Sequence, residues 1–411
     1  MSEAAPTPLR ANRDFLLLWL GEASSQLGFQ GALVAYPLLV LALTGSAAKA
    51  GLVGFARAVP WLLFSLPAGA LVDRLNRKRV MVFSDVSASL ALLSIPVALW
   101  IGELSLAQIV VVAFLEGAFI VFFGIAETAA LRSVVPAGQL ADAVAANDAR
   151  AYAARVAGTP LGGVLFGISH ALPFLSDALS YLVSSVLVLK TRKDFQETRS
   201  RSARSLRLDM AEGAKWLWAQ PFLRAALLFV AGSNLVFAGV VLTSVVVAKE
   251  NGASPALIGA MLALVGVGGI LGALAAPWLR RRISPRAVVT GYNWVYVAII
   301  LALAVAQHPA VIGSLLGALA FFGPTWNAVV DGYRISIIPD AMIGRVQSFD
   351  SLVAFGTASF GPLIAGILLD AFGGGPTLLV LAAIMLTLAV VATLAPALRE
   401  IDGSPTMRQT A

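Results

Sequence analysis

The chain has 411 residues, of which 59% are hydrophobic and 12% charged, with 29 Lys+Arg against 22 Asp+Glu, a formal net charge of +7 and no cysteine. A soluble domain devotes about a quarter of its residues to charge, so this composition excludes an ordinary water-soluble fold and indicates a polytopic membrane protein. Lack of cysteine excludes disulfides, haem attachment and thiolate metal sites.

A hydrocarbon core of about 30 Å takes roughly 20 apolar residues per helix. That ruler predicts twelve spans, at 15–42, 49–72, 80–101, 107–131, 141–167, 171–189, 222–248, 255–279, 286–306, 309–332, 342–369 and 376–396. The opening MSEAAPTPLRANRD has no apolar stretch, so no cleavable signal is expected. The first span carries Glu22, Ser25, Gln26, Phe29 and Gln30 at helical spacing, a polar stripe suited to a water-filled cavity. Arg57 is the one charge inside the second span. Between the second and third, GALVDRLNRKRV holds five charges in seven positions. Glu116 lies inside the fourth span, whereas Asp85, Glu127 and Asp331 fall near span ends and read as structural; Asp177 in the sixth reads either way.

The fifth span has the weakest apolar signal, because Asp148, Arg150 and Arg155 interrupt it. Asp148, Tyr152, Arg155 and Thr159 again share one helix face, and Asp148 is read either as a functional group or as the structural partner of Arg150 or Arg155. A hydrophilic linker follows at 190–221; its second part puts Leu206, Met210, Ala214 and Leu217 on one stripe beside Trp216 and Trp218, as expected of an interfacial helix. In the second half, buried polarity is sparse: Asn234, Asn293, Trp326 with Asn327, and Asp350. The expected organisation is therefore a bundle at 1–189, the linker, and a second bundle at 222–411, with charge handled by the first half and an apolar and aromatic wall supplied by the second.

Two further patterns set topology. Twenty-four Lys and Arg fall on the side of both termini, Lys49 and Lys249 on the other, and Arg57, Arg150 and Arg155 within spans. By the positive-inside rule both termini are expected in the cytoplasm. This bias accounts for the basic surplus, so no nucleic-acid partner is expected. An offset of 203 aligns GALVDRLNRKR with GALAAPWLRRR, and it also superposes Pro136 on Pro339, Gly158 on Gly361 and Gly163 on Gly366. The chain thus reads as a tandem duplication of two six-helix halves. GVGGILG (266–272) lacks a preceding strand and reads as helix packing, not as a dinucleotide loop. With histidine limited to His170 and His308 and no phosphate-binding loop, neither cofactor, metal nor direct use of ATP is expected.

GALVDRLNRKRV resembles the loop signature of the major facilitator superfamily: Gly, three residues, Asp-Arg, two residues, Arg-Lys. NRDFLLLWLGEASSQLG, SDALSYLVSSVLVL, EGAKWLWAQPFLRAALL, FFGPTWNAVV and PDAMIGRVQSF resemble the bacterial efflux branch that includes enterobactin exporters and macrolide efflux proteins. The resemblance runs from residue 12 to about 396. Two positions depart from the pattern. Asn76 stands where the loop usually has Gly, a residue that also tolerates a left-handed backbone. AGTPLGG replaces the Gly-Pro-x-x-Gly-Gly of antiporters, with Thr159 where the proline would sit and Pro160 one place later.

The resemblance implies an all-α membrane protein of twelve transmembrane helices in two pseudo-symmetric bundles, working by alternating access. It also implies a latch, in which Gly69, Asp73, Arg77, Lys78 and Arg132 close the cytoplasmic side against the helix starting near Ala341. The expected function is export of an amphipathic small molecule, drug-, macrolide- or siderophore-like, coupled to protons, by a monomer whose other partners are membrane lipids. Proton-coupled uptake, or a non-transporting sensor or scaffold, are the alternatives. Glu22 is the expected proton carrier, displaced by a cationic substrate beside Gln26 and Gln30; should Arg57 or Arg155 neighbour it, Glu116 takes that role.

Overall fold

The computed structural model describes residues 8–72, 74–193, 195, 206–339 and 342–395, with backbone alone at 70, 206–210, 335–336, 343–344 and 348. Among them are thirteen α-helices: α1 (Arg13–Thr44), α2 (Ala47–Val72), α3 (Arg77–Ile101), α4 (Leu106–Val134), α5 (Leu140–Ile168), α6 (Leu172–Leu189), α7 (Leu206–Ala219), α8 (Pro221–Glu250), α9 (Pro255–Arg282), α10 (Pro285–Leu303), α11 (Pro309–Ile337), α12 (Ile343–Phe372) and α13 (Gly374–Leu394). Eleven are long and apolar enough to cross a membrane. α5 lacks that composition, and its place is fixed by packing between α1 and α9. With it the fold has its twelve membrane helices, and α7 is the linker helix.

Local signals explain the boundaries. Asn12 caps α1 by accepting from Phe15 N at 3.2 Å, and α1 ends at Gly45, whose φ of 67° only glycine adopts readily. α8, α9, α10 and α11 each open with proline in the first turn, where its missing N–H costs nothing. α10 stops at Leu303, short of the apolar run to 306, because the chain must turn to enter Pro309 at the head of α11. Asn76 does not take the left-handed conformation suggested by the loop pattern: its φ is −68°, and its side chain caps α3 by accepting from Arg79 N at 3.0 Å.

Large apolar side chains such as Phe83, Trp100, Ile168 and Leu274 face outward and are exposed, as expected of a surface bathed by lipid. The interior is held by small residues at helix crossings. A Cβ on Gly117 of α4 would strike the carbonyl oxygen of Arg57 on α2, and one on Gly162 of α5 would strike Gly31 of α1. GVGGILG behaves in the same way: Gly268 lies against Gly317 and Gly272 against Phe321, which draws α9 onto α11.

α1 to α6 and α8 to α13 meet along two seams, α2 with α12 and α5 with α9. The seams are tight at one end. Gly51 packs on the Pro362 carbonyl, Gly366 on Ala47, and Gly163 on Pro255. The positions related by the 203-residue offset, Gly163 and Gly366, thus make equivalent contacts. At the other end, where α1 begins, the seams part: Ser65 and Leu66 of α2 and Gln347 and Ser351 of α12 line an open vestibule. α7 docks beside that opening, with Glu212 paired to Arg345 of α12 at 2.8 Å, Gly213 against the Arg345 backbone, and Leu217 buried. Leu206 and Met210 of the expected stripe have no described side chain.

Asp370 near the end of α12 fastens the closed end. Its carboxylate accepts from Ser46 Oγ at 2.5 Å and Ala47 N at 2.7 Å, so one half supplies the N-terminal cap of α2 in the other. Removing a helix cap costs about 1 kcal/mol. Asp370→Ala is expected to raise the population open at this end roughly fivefold, one kcal/mol in the equilibrium. Spin-label distances between residues 43 and 372, both exposed and outside the contact, read this shift, and an unchanged distribution would count against the fastening role.

Candidate functional site

Two cavities lie in series between the halves. The vestibule, about 800 Å³, opens at the end where α1 begins and is lined by α1 to α5 and Tyr181 of α6, with Gln347 and Ser351 of α12. An inner cavity of about 370 Å³ lies deeper, and Phe29, Trp61 and Ile120 line both. Its far wall is aliphatic with one ring: Phe237, Val241 and Val245 of α8, Leu262 and Val265 of α9, and Pro362 of α12.

In the inner region, the close approach at Gly117 delivers the neighbouring Glu116 to Arg57. Arg57 Nη2 and Nε donate to its carboxylate at 2.5 and 3.2 Å, and the Tyr36 hydroxyl donates at 2.8 Å. The Arg57 guanidinium also lies 4.1 Å from the centre of the Phe29 ring, a cation–π contact. Glu116 is fully buried, so the pair is a desolvated lock joining α1, α2 and α4. Asp177 on α6 is fully buried as well and accepts from Ser180 Oγ at 3.4 Å; Gly28 of α1 leaves room for it.

The vestibule wall carries a different arrangement. Arg150 of α5 lies 3.3 Å from Glu127 of α4 and 3.9 Å from Glu22 of α1, so two carboxylates share one guanidinium. Gln26 donates to Glu22 at 2.9 Å, Ser25 at 3.3 Å, and Arg150 donates to Asn147. Asp85 of α3 lines the same vestibule. Two of the three acids read as structural from their position near span ends, Asp85 and Glu127, therefore stand on the cavity wall. Their helices run past the expected ends, and the opening enters between helices at that depth.

The remaining candidates divide. Gln26 lines the vestibule, and Gln30, Arg57, Arg155 and Thr159 line the inner cavity. Tyr152 sits in the α5–α9 seam against Gly269. Asp148 is exposed, lines neither cavity and makes no ion pair among the described residues; Arg150 pairs with Glu22 and Glu127 instead. The polar candidates of the second half do not form the wall. Asn234 donates to the Ala354 carbonyl across α8 and α12, Trp326 is buried against Tyr292 of α10, and Asn327 is exposed and lines neither cavity. Arg334 of α11 is buried and pairs with Asp350 at 2.8 Å and Asp331 at 3.3 Å.

Of the expected latch, Asp73 and Ala341 lie outside the described residues. Gly69 is in open space on α2, and Arg132 lines the vestibule mouth. Arg77 donates to the Phe195 carbonyl and Lys78 to the Thr191 carbonyl, both at 2.8 Å, tying the segment after α6 to α3. Asp14 receives Arg192 N and Lys193 N there. Among the described residues no group of His, Asp and Glu is arranged to hold a metal ion; His170 stacks on Phe166 and His308 caps α11.

Twelve membrane helices in two bundles around a cavity open at one end define a transporter of the major facilitator superfamily. The chain belongs to the transmembrane secretion effector family, whose sequence profile matches residues 3–410. It is 29% identical over 407 residues to the multidrug efflux pump Tap of Mycolicibacterium fortuitum, covering 94% of this chain and 97% of that one. It is 25% identical over 378 residues to the staphyloferrin A transporter of Staphylococcus aureus, covering 87% and 88%. In fold it is similar to the nucleoside transporter NupG, with a TM-score of 0.76 at 11% identity, covering 92% of this chain and 98% of that one. A bacterial homologue of the lysosomal transporter Spinster gives 0.70 at 16% identity, covering 99% of both.

The Arg57–Glu116 lock yields a stability expectation. Glu116→Ala strands a buried guanidinium and should cost about 3–5 kcal/mol, whereas Arg57→Met with Glu116→Leu together should restore most of it. Thermal melts in detergent followed by tryptophan fluorescence separate these outcomes. An Arg57→Met, Glu116→Leu protein as unstable as Glu116→Ala would refute the lock.

Proposed function

We propose that this protein exports amphipathic small molecules from the bacterial cytoplasm by alternating access, coupled to inward proton flow. One observation carries the reading: a surplus carboxylate, from Glu22 and Glu127 sharing Arg150, on the wall of a vestibule that leads to an apolar inner cavity. The Lys and Arg bias supports a cytoplasmic location of both termini, and hence an inward-open state in this structure. The names of its efflux relatives support the outward direction.

The proton step follows from desolvation. When α2 and α12 close the vestibule over Ser65 and Gln347, water leaves the wall. An uncompensated carboxylate there costs about 2.5–3.5 kcal/mol, so closure requires either a proton on the Glu22–Glu127 pair or a cationic group of the substrate beside it. Competition of those two for one negative charge is antiport: substrate goes out in place of the proton, and the proton returns in place of the substrate. The Arg57–Glu116 lock keeps its own neutrality and stands outside the exchange, so the role assigned to Glu116 as an alternative carrier is not needed.

Glu22→Gln and Glu127→Gln are each expected to fold and to retain substrate binding, yet to lose pH-driven accumulation in proteoliposomes by about tenfold or more, 1.4 kcal/mol of coupling. Inverting the pH gradient on wild-type vesicles distinguishes export from uptake by the direction of net flux. Unchanged pH dependence in both variants would remove this cluster from the mechanism.

A further inference from the structure

Arg155 sits midway along α5, among residues that line the inner cavity, and its guanidinium makes no hydrogen bond or ion pair among the described residues. Among the described residues, three other arginines within the bundle have carboxylate partners: Arg57 has Glu116, Arg150 has Glu22 and Glu127, and Arg334 has Asp350. A lone guanidinium at mid-membrane is tolerated where it faces a cavity, and such groups mark substrate paths. The same cavity receives two more polar groups without partners. Arg57 Nη1 and Gln30 Oε1 are buried and unsatisfied, and both residues are more than nine-tenths buried. With Glu116 matched to Arg57, the residues that line the inner cavity carry one surplus positive charge, Asp177 lying off that lining against Gly28 of α1. The vestibule wall carries one surplus negative charge. Five residues of α5 separate Arg155 from Arg150, roughly 7.5 Å of rise, and Phe29, Trp61 and Ile120 form the apolar passage between the two regions.

We propose that Arg155 anchors the acidic group of the substrate in the inner cavity, and that the preferred substrates are amphipathic zwitterions whose cationic group reaches the Glu22–Glu127 wall. The inference deepens the export reading and rests on it only for the direction of movement. Aromatic surface between the charges would lie on Phe29 and Trp61 and against the aliphatic wall of α8 and α9. The Cγ of Arg155 packs beside Gly266 of α9, which leaves its planar end to present paired donors to a carboxylate.

The probe is an aminomethyl-biphenyl-carboxylate, a rigid apolar rod with an ammonium at one end and a carboxylate at the other, compared with its methyl ester and its N-acetyl derivative. Equilibrium dialysis against the purified protein in detergent should show the zwitterion bound about tenfold more tightly than the ester, as one charge-assisted hydrogen-bonded pair provides. Arg155→Gln should abolish that ratio without weakening the ester. Arg155→Lys should retain part of it, and Arg155→Glu should make the ester the tighter ligand. A wild-type protein that binds the zwitterion no better than the ester overturns the proposal without recourse to any variant, and so does an unchanged ratio in a folded Arg155→Gln protein. Transport is read separately in proteoliposomes. Selective binding without pH-driven flux retains the anchor and removes the export reading, whereas flux with no preference for the carboxylate does the reverse.

Discussion

An ionised side chain is costly in hydrocarbon, and the interior of this protein is organised around that cost. Three clusters share their membrane charges: Arg57 with Glu116, Arg150 with Glu22 and Glu127, Arg334 with Asp350. Each cluster draws its members from different helices, so each exists only because the helices approach closely enough. Glycine provides that approach. Gly117 lets α4 reach Arg57, and Gly28 admits Asp177 beneath α1. Loss of one methyl-sized space would thus be felt first as a broken ion pair and only second as a packing defect.

The halves differ in how they use this economy. Helices α1 to α5 bring eight carboxylate or guanidinium residues to the two cavities or their immediate wall, whereas α8 and α9 offer only apolar side chains. A polar wall facing an aliphatic one suits an amphipathic guest, which can change its polar contacts while sliding over a surface that makes no directional demands. In the proposed alternating access, rocking of one half over the other leaves the charge clusters of the first half intact, because none of their partners among the described residues lies across the seam.

Helix placement and the duplication were legible from apolar run length and the 203-residue offset, including α5, whose charges conceal it from hydropathy alone. The site was legible in part. The stripe on α1 identified Glu22, Gln26 and Gln30, since helical spacing fixes a face. The same rule would have found Glu127: Glu116, Ile120, Phe123 and Glu127 follow one another at i, i+4, i+7 and i+11 along α4. Proximity to a span end hid it, because the vestibule carries water deep between the helices. In the second half the errors ran the other way. Asn234, Trp326 and Asn327 are polar or aromatic within spans, but sequence does not say which face of α8 or α11 turns toward the axis. Their partners, a backbone carbonyl on α12 and the Tyr292 ring, are contacts that only the folded chain defines.

The crossing of Gly51 on Pro362 also sets a lever. Fifteen residues of α12 separate Pro362 from Gln347, an arm of roughly 22 Å at 1.5 Å per residue. Each degree of tilt about that crossing moves Gln347 by roughly 0.4 Å on this arm. Because α7 is tied to Arg345 just beyond the tip, the segment joining the halves travels with the far end of the arm, where displacement is greatest. A modest angular adjustment where the backbones touch is thereby converted into a wide stroke at the mouth, with the interfacial helix carried along as its handle.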